Sequence, residues 1–592
     1  MTELGSQARD HGIGTRVLQL GAQEQEAESA QCSDVGAKSL KLVLRKTKCV
    51  DGRRQAMKNL KKPTNGETLI NMEEVSWWHQ QLSPNAVRRL AAGWQGVFQR
   101  SILKLMGQAA EALGEDFDEE LGRPSKELYA MSGLLLIAEF QDWTIDEAAE
   151  QWTLNAGVQY ALNLGRDRQY LSARTLDNYR RQLREKVDVQ EIFLAVAGCL
   201  VGELELDIRQ QRLDSTHVLS AMARLGRQQL LAVAVKRFLV ALHKRDRRLF
   251  GEVTEELRQR YEAAESRLFG MGTKQPMPRG EALAQVAQDL AWLVDHFASA
   301  GCQRWESYQA LVRLLKEHCE VREDRTVVVR AQSRDAQGGS TQCLQNPSDP
   351  EAGYSGHKGA GYQMQLGQML PPRDAEGNIE GPGLLTACVP QSAAVRDDAA
   401  LPEVLAQQGA GGLLPERLTA DTIYGSDDNV QGCAAVGVKL ISPVGGVQPT
   451  KADAARHWCS RKERERKARL AQRRAEQETS QWRKQYAARS GIEGVHRALD
   501  VTTGCKRLRV RGLRAVTVAL SLKATGWNIL AAAKIRAHRN RKDKIRAEQA
   551  LRGKTSRFKM RSQRLRRRRS VNSNSFFDPA TIILPPVPTR HR

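Results

Sequence analysis

The chain has 592 residues, of which 41% are hydrophobic, and it carries a formal net charge of +23 with a sequence pI of about 9.7. This length is enough for several domains, and the apolar fraction is enough for a sizeable core. The strong positive charge favours a polyanionic partner. Nucleic acid is the first candidate, and an anionic membrane surface is the second.

Membrane insertion and a disulfide framework are both disfavoured. No uninterrupted apolar run reaches the roughly 18 residues that a spanning helix needs, and the N-terminal sequence MTELGSQARDHG lacks an apolar signal region. The ten cysteines include no Cys-x-x-Cys pair, so we expect free thiols. Cys459 lies two residues after His457, but two ligands do not make a zinc site. We expect a soluble intracellular protein.

The N-terminal third divides into a polar segment and a helical region. Residues 1–75 are polar and locally basic, which predicts mostly disordered chain with basic residues available to DNA. Apolar residues at three- and four-residue spacing then predict helices over 86–112, 126–164 and 173–201. We therefore expect a helical DNA-binding domain over 76–204.

Two interpretations of the segment YLSARTLDNYRRQLREK stay open. Its start signal and basic residues, which include Arg180 and Arg181, are typical of the recognition helix of a helix-turn-helix. An ordinary amphipathic helix with a basic outer face has the same pattern.

The middle of the chain predicts a mixed α/β sheet with flanking helices. A strand over 207–214 ends in Asp214, and a helical block over about 222–320 forms an insertion after it. The ends of such an insertion can meet because the entropy of loop closure grows slowly with length. The elements expected next are strands at Thr326–Arg330, Gly361–Leu366 and Leu384–Val389, a helix over 397–408, a strand into Asp421, a helix over 428–436 and a strand at Val438–Pro443. Together they give a catalytic core over 205–533.

The C-terminal part is basic throughout. A helical stretch over 454–499 precedes an apolar stripe in 513–531 that should pack on the core. Residues 534–569 then hold 17 Lys and Arg against two acids, and we expect 534–592 to be a basic, largely disordered tail. Such a tail would bind phosphates non-specifically by releasing counterions, although a solvated run or a targeting signal has the same composition.

Three acidic residues, Asp214, Asp421 and Glu493, occur at the edges of apolar stretches where solubility does not require them. Each also has an ordinary explanation. Asp214 begins Asp-Ser-Thr, a good helix N-cap sequence; Asp421 could form a turn before Gly425; and Glu493 could pair with Arg489, four residues earlier. Gathered by folding, the three carboxylates would suit Mg²⁺, which prefers oxygen ligands. Two such ions, about 4 Å apart, can clamp both oxygens of a phosphoryl transfer.

Four blocks of sequence resemble one known family, the bacterial insertion-sequence transposases of the DDE class. The blocks are LDSTHV, NPSDPEAGYSGHKGAGYQMQL (346–366), LTADTIYGSDDNVQGCAAVGVKLISPV (418–444) and RSGIEGVHRALDVTTGCKRLRVRGL (489–513). The resemblance spans residues 85–550 and implies a ribonuclease-H-like core after an N-terminal helical domain. It implies that Asp214, Asp421 and Glu493 are the catalytic residues and metal ligands, with two Mg²⁺ per site. The sequence does not distinguish Mg²⁺ from Mn²⁺.

The spacing of Tyr486, Arg489 and Glu493 also matches the Tyr-x2-Arg-x3-Glu-x6-Lys signature of one DDE subgroup. On a continuous helix these three positions share one face and could point at one phosphate. The last position departs from the signature because Asp500 stands in place of Lys. The remaining candidates for contact with DNA phosphate are Lys506, Arg507, Arg509 and Lys358, the last of which could instead belong to a Gly-rich strand connection.

The family implies an enzyme that cleaves the ends of its element and transfers the 3′ strands to target DNA by two-metal-ion phosphoryl transfer. Its partner would be double-stranded DNA from both the transposon ends and the target. We expect a homodimer on DNA, in the bacterial cytoplasm with the nucleoid, and no membrane partner. Two alternatives remain: a ribonuclease-H-like nuclease that only cleaves, and an inactive or repurposed transposase that only binds DNA.

Overall fold

The computed structural model describes residues 82–115, 117, 125–164, 170–262, 278–336, 338–446 and 460–572. The segment expected to be disordered at 1–75 and the isolated Cys459 lie outside these residues. The chain divides into two compact units, Met1–Lys534 and Ile535–Arg592.

Helices account for most of the first described region. They begin with good capping residues: Thr144 forms a capping box with Glu147, and Ser172 and Asp188 each accept a backbone N–H of the helix that follows. A π-helical turn and a 3₁₀ turn join the second and third helices. The helices are Pro84–Ala92 (α1), Trp94–Val97 (α2), Gly107–Gly114 (α3), Leu128–Phe140 (α4), Ile145–Leu154 (α5), Ala156–Ala161 (α6), Ala173–Lys186 (α7) and Val189–Glu203 (α8).

A mixed six-stranded sheet follows, as expected for a mixed α/β protein. The strands in chain order are Gln210–Val218 (β1), Cys319–Val321 (β2), Val327–Val329 (β3), Gly353–Ser355 (β4), Gly359–Met369 (β5), Leu385–Ser392 (β6), Arg417–Thr419 (β7) and Lys439–Ile441 (β8). Six of them form one sheet. Five lie in the order β4-β5-β1-β7-β8, and the sixth, β6, also pairs with β5. Strand β5 is antiparallel to β1, whereas β7 is parallel to β1 and β8 is parallel to β7.

The first strand is longer than the sequence indicated. We expected it to end at Asp214, but β1 continues to Val218, so that Asp214 lies in its middle and is not a helix N-cap. The extension exists because Ser215 to Val218 pair with Gln365 to Tyr362 of β5. This pairing is with a strand about 150 residues away, and it brings Val218 into the core with no exposed surface.

The helical insertion after β1 has its own core. Its helices are Arg227–Arg245 (α9), Arg247–Gly251 (α10), Glu255–Glu262 (α11), Arg279–His296 (α12) and Glu306–His318 (α13). Phe238 packs against Phe297 and Tyr308 in the middle of this core. The strand predicted at Thr326–Arg330 is β3, which pairs with β2 and does not join the main sheet. The start of the insertion is held against the segment before β4, since Asn346 Nδ2 donates to the carbonyl of Ala223 at 2.8 Å.

Helices also connect and cover the parallel part of the sheet. Asp397–Ala410 (α14) lies between β6 and β7 in the chain. Asp427–Ala435 (α15) joins β7 to β8, as parallel neighbours require. After β8 come Arg461–Gln477 (α16), Ser480–Tyr486 (α17), Ile492–Thr503 (α18) and Leu513–Asn572 (α19).

The apolar stripe of α19 packs on the sheet, as its spacing predicted. Val516, Leu520, Ala524 and Trp527 belong to the same buried cluster as Tyr362, Met364 and Leu366 of β5. Asn528 adds two hydrogen bonds between the helix and the sheet. Its side chain accepts a hydrogen bond from the amide of Leu385 at 2.7 Å and donates one to the carbonyl of Leu385 at 2.9 Å.

The same helix bears on two expectations about the C-terminal part. Where we expected a largely disordered tail from 534, the described chain is helical to Asn572. Residues Leu513–Arg552 also contain a window of mean hydropathy 1.2, long and apolar enough to cross a membrane, although no uninterrupted apolar run suggested one. Because 83% of that window is buried inside the protein, it has the character of a core helix.

We predict that Leu520→Ala lowers the free energy of unfolding by about 2–5 kcal/mol, because Leu520 is fully buried and truncation leaves a cavity. Leu551→Ala, at a site of the same helix that is 66% exposed, is the matched control and should change it by about 0.5 kcal/mol or less. Urea unfolding followed by circular dichroism measures both. Equal effects of the two substitutions would contradict the packing described here.

Candidate active site

Asp214 and Asp421 come together because they follow equivalent positions of two parallel strands. Arg212 of β1 pairs with Thr419 of β7, and each acid lies two residues further along its own chain. In open α/β sheets, the carboxyl ends of neighbouring parallel strands are where ligands bind. Asp421 also has the local role considered for it, since its carboxylate accepts the amide of Ile423 at 2.9 Å at the start of a 3₁₀ turn.

One guanidinium lies between these two carboxylates. Arg489 Nη2 is 3.6 Å from Asp214 Oδ2 and 4.0 Å from Asp421 Oδ2. Both distances exceed those of a good hydrogen bond, so the guanidinium acts on the acids mainly through its charge. Arg489 therefore faces these two acids. The ion pair between Arg489 and Glu493, which the sequence offered as an ordinary explanation of Glu493, is not formed.

The segment that carries Arg489 is held in place by Arg212. The side chain of Arg212 is 5% exposed and lies on the same face of β1 as Asp214, two residues away. Its Nη1 donates to the carbonyl of Ser490 at 2.5 Å, and its Nε donates to Gln368 Oε1 at 2.9 Å. No pattern in the sequence indicated that Arg212 has this role.

The helix is interrupted between Tyr486 and Glu493. Tyr486, Arg489 and Glu493 therefore do not share one helix face as we expected. Helix α17 ends at Tyr486, and Ala487–Arg489 forms a 3₁₀ turn. Gly491 then adopts φ +88°, in the left-handed region that favours glycine, before α18 begins.

Glu493 is the one predicted catalytic acid that these contacts do not include. Helix α18 buries Ile492, Val495 and Leu499, and Glu493 is exposed in its first turn. Within the described residues, the carboxylate of Glu493 forms no ion pair or hydrogen bond with the protein, and no three His, Cys, Asp or Glu side chains lie close enough together to hold a metal. The contacts thus join two of the three acids.

The pair of aspartates nevertheless fits a divalent cation. Mg²⁺ is commonly held by one or two carboxylates and keeps several of its waters. The pKa of Asp214 is raised to about 6, and burial is the largest cause; Arg489 and the amide of Ser215 act to lower it, while the negative charges of Asp421 and Asp397 add to the rise. Arg489 alone therefore does not offset the cost of ionising Asp214, and additional positive charge would stabilise its carboxylate.

Tyr486 belongs to the same neighbourhood. Burial raises the pKa of its phenol, and the charges of Asp421 and Asp214 raise it too, whereas Arg489 lowers it. Two members of the predicted signature, Tyr486 and Arg489, thus lie beside the two aspartates.

Lys358 lies in the Gly-rich connection between β4 and β5, which is the structural alternative considered for it. Its ammonium is 2.9 Å from Asp397 Oδ2 and donates to Ser215 Oγ at 2.6 Å. It is therefore part of the structure next to Asp214. Asp397 was not predicted as a site residue. Its only signal in the sequence is its place in the acidic first turn of a predicted helix, a pattern that usually means favourable interaction with the helix dipole.

The other predicted phosphate contacts have partners within the protein or are at least partly exposed to solvent. Arg509 pairs with Asp142 at 3.2 Å, Arg180 pairs with Asp177, and Arg181 Nη2 donates to Asn178 Oδ1 at 3.3 Å. Asp500 accepts the amide of Lys506 at 2.9 Å, which is a local turn contact. Both open interpretations of the helix with Arg180 and Arg181 remain. The side chains of Lys506 and Arg507 are partly exposed and exposed, respectively.

We predict that Asp214→Asn stabilises the fold at neutral pH but not at acid pH. The pKa of Asp214 is raised from its ordinary value of 3.8 to about 6, so its contribution to stability is full below pH 4 and is lost as the pH rises through 6. The neutral amide avoids that loss, so the variant should exceed wild type by on the order of 1–2 kcal/mol at pH 7.5 and match it near pH 4.

Denaturant unfolding of both proteins at the two pH values measures this difference. Asp543→Asn, an exposed aspartate of α19, is the control and should show no such pH dependence. A destabilised Asp214→Asn protein at pH 7.5 would rule out the electrostatic explanation.

Comparison with known proteins gives one match. Residues 448–533 match the family model described as the transposase DDE domain, a range that contains Tyr486, Arg489 and Glu493 but neither Asp214 nor Asp421. No curated protein and no solved structure matches the chain. The match over these residues supports the assignment of this chain to the DDE-class transposases.

Proposed function

We propose that this protein is a DNA transposase that cleaves the ends of its element and joins the freed 3′ strands to target DNA. The observation that carries the proposal is the meeting of Asp214 and Asp421 around Arg489, at the carboxyl edge of two parallel strands. The family match to the segment that supplies Arg489 supports it independently. We also propose that the sheet, with β5 antiparallel beside β1 and with β7 and β8 parallel to it, is a ribonuclease-H-like core preceded by a helical DNA-binding domain.

Asp214 and Asp421 would hold a divalent cation, Mg²⁺ or Mn²⁺, and we propose Glu493 as a third ligand. Two such ions, when bound, would neutralise developing charge on the phosphate and activate the attacking water. The single positive charge of Arg489 offsets part of the charge of the two carboxylates, and a guanidinium is also suited to phosphate because its donors match the phosphate oxygens. That Arg489 Nε is buried without a partner among the described residues supports a further contact for it.

A basic helix beside this edge supports DNA as the partner. Helix α16 contains eight Lys and Arg against three Glu and has no buried residue. One face is attached to the protein: Arg469 pairs with Asp427 at 2.6 Å, and Arg473 donates to the carbonyls of Gly425 and Ser442 at 2.9 and 3.2 Å. These segments directly follow β7 and β8, close in sequence to Asp421. Five other basic side chains of this helix are exposed to solvent, where they could neutralise DNA phosphates: Arg461, Lys462, Arg464, Arg466 and Lys467.

We predict that Asp214→Asn, Asp421→Asn and Glu493→Gln each abolish strand cleavage and leave DNA binding largely intact. Each amide removes a metal-binding negative charge but keeps the size of the side chain. The assay is Mg²⁺-dependent nicking of a duplex that carries the end of the element, with binding measured by fluorescence anisotropy. Asp295→Asn, at an exposed aspartate of α12, is the matched control and should cleave like wild type.

Nicking at wild-type rate by any of the three site variants would remove that residue from the proposed site. A strand-transfer assay with pre-cut ends distinguishes a transposase from a nuclease, because a nuclease gives no joined product. Binding by the wild-type protein without metal-dependent cleavage would favour the inactive, DNA-binding alternative.

We predict that the double substitution Lys462→Gln and Arg464→Gln on the exposed face of α16 weakens DNA binding equally for different sequences. It should also lower the slope of log affinity against log salt by about 2, because each phosphate contact releases about one counterion. Arg247→Gln with Arg248→Gln, at two exposed arginines of α10, is the control of equal charge change. An unchanged salt slope for the α16 variant would exclude this helix from the DNA surface.

A further inference from the structure

A second ion pair lies directly behind Asp214. Lys358 precedes β5, and Asp397 is the first residue of α14. The ammonium of Lys358 is 2.9 and 3.1 Å from the two carboxylate oxygens of Asp397, and the side chain of Asp397 is only 10% exposed. A partly buried pair of this kind is held by specific geometry, unlike an ion pair on the surface.

The ammonium of Lys358 is fully occupied within the protein. Besides Asp397, it donates to Ser215 Oγ at 2.6 Å and to Gln363 Oε1 at 3.1 Å. An ammonium has three donors, and these three partners use all of them. Ser215 is the residue next to Asp214 on β1, so Lys358 fixes that strand at the catalytic position. In this arrangement Lys358 has no donor left for a DNA phosphate.

Asp397 extends the connection towards Asp421. Its Oδ1 accepts Gln365 Nε2 at 3.1 Å, and Gln365 Oε1 in turn accepts the hydroxyl of Tyr424. Tyr424 is fully buried and lies three residues after Asp421, in the 3₁₀ turn that Asp421 caps. A continuous set of hydrogen bonds therefore runs from the neighbour of one aspartate to the turn that holds the other.

We infer that Lys358 and Asp397 form a charge-balanced positioning pair, which sets the separation of Asp214 and Asp421 without changing the net charge of their site. This inference rests on the proposed function, since the purpose of the separation is to receive a divalent cation. Because the pair is neutral as a whole, its loss disturbs geometry, whereas the loss of one member alone also changes the charge that the cation meets.

The two single substitutions should then change metal affinity in opposite directions. In Lys358→Met, the uncompensated Asp397 adds one negative charge near the site, so Mn²⁺ should bind about three- to tenfold more tightly. In Asp397→Asn, the uncompensated Lys358 adds one positive charge, and Mn²⁺ should bind weaker by a similar factor, about three- to tenfold. The double variant restores neutrality and should return to within about threefold of wild type.

Isothermal titration calorimetry of the full-length protein with Mn²⁺ measures these affinities, and thermal unfolding shows that each variant is folded. All three variants should cleave DNA more slowly than wild type, because each loses either the contact that fixes Ser215 or the residue that supports this contact.

Lys358→Arg and Asp397→Glu keep both charges, so they test the inference even if the charge-changing variants misfold. Their Mn²⁺ affinity should stay within about threefold of wild type while their cleavage falls. Lys244→Met, at an exposed lysine of α9, is the control and should change neither quantity.

Affinities that move in the same direction in both single variants, or that do not move, would overturn the inference and leave the proposed function standing. Wild-type cleavage by Lys358→Met would overturn it as well. Wild-type protein that binds no Mn²⁺ and cleaves no DNA would instead overturn the proposed function, and the inference with it, so that the two failures are distinguishable.

Discussion

The arrangement at the edge of the sheet depends on one electrostatic requirement: two partly buried aspartates need a cation between them. Asp214 and Asp421 follow paired positions of β1 and β7, so the strand register alone brings their charges together. Like charges this close raise the free energy of the ionised pair, and burial raises it further. Arg489 offsets part of that cost, and it can do so only because Arg212 holds the turn after α17 against β1. Strand pairing, a buried arginine and a short turn thus act together on one site.

That site is maintained at some expense in stability. The raised pKa of Asp214 means that its carboxylate is ionised at neutral pH against the preference of its surroundings. Proteins commonly accept such a cost where chemistry requires it, because an optimally stable arrangement would leave no affinity for a ligand. The neutral pair of Lys358 and Asp397 next to Asp214 is consistent with this view. It adds rigid hydrogen bonds at the site without supplying the positive charge that would satisfy Asp214 outright.

The order of strands and helices around the site could be predicted from the sequence because it depends on local patterns. The helix expected over 397–408 is Asp397–Ala410, and the strand expected to lead into Asp421 is Arg417–Thr419. The extension of β1 to Val218 could not be predicted in this way, since it depends on pairing with a strand that is distant in sequence. The helix to Asn572 was missed for another reason. Charge was taken to indicate disorder, whereas the Arg, Lys, Ala, Gln and Glu of that segment are all good helix formers.

The set of acids that meet at the site could be predicted only in part, because the backbone conformation of Gly491 changes the direction of the chain before Glu493. On a continuous helix, a glutamate four residues after Arg489 would lie beside it; the left-handed φ of Gly491 redirects the chain, and α18 then presents Glu493 to solvent. The acid that the hydrogen bonds do bring close, Asp397, is distant from the others in sequence and matched no motif. Asp214, Asp421 and Asp397, set against Arg489 and Lys358, leave this cluster with one uncompensated negative charge. A site with that balance favours the arrival of further positive charge, which is the property that a metal-dependent phosphoryl-transfer centre requires.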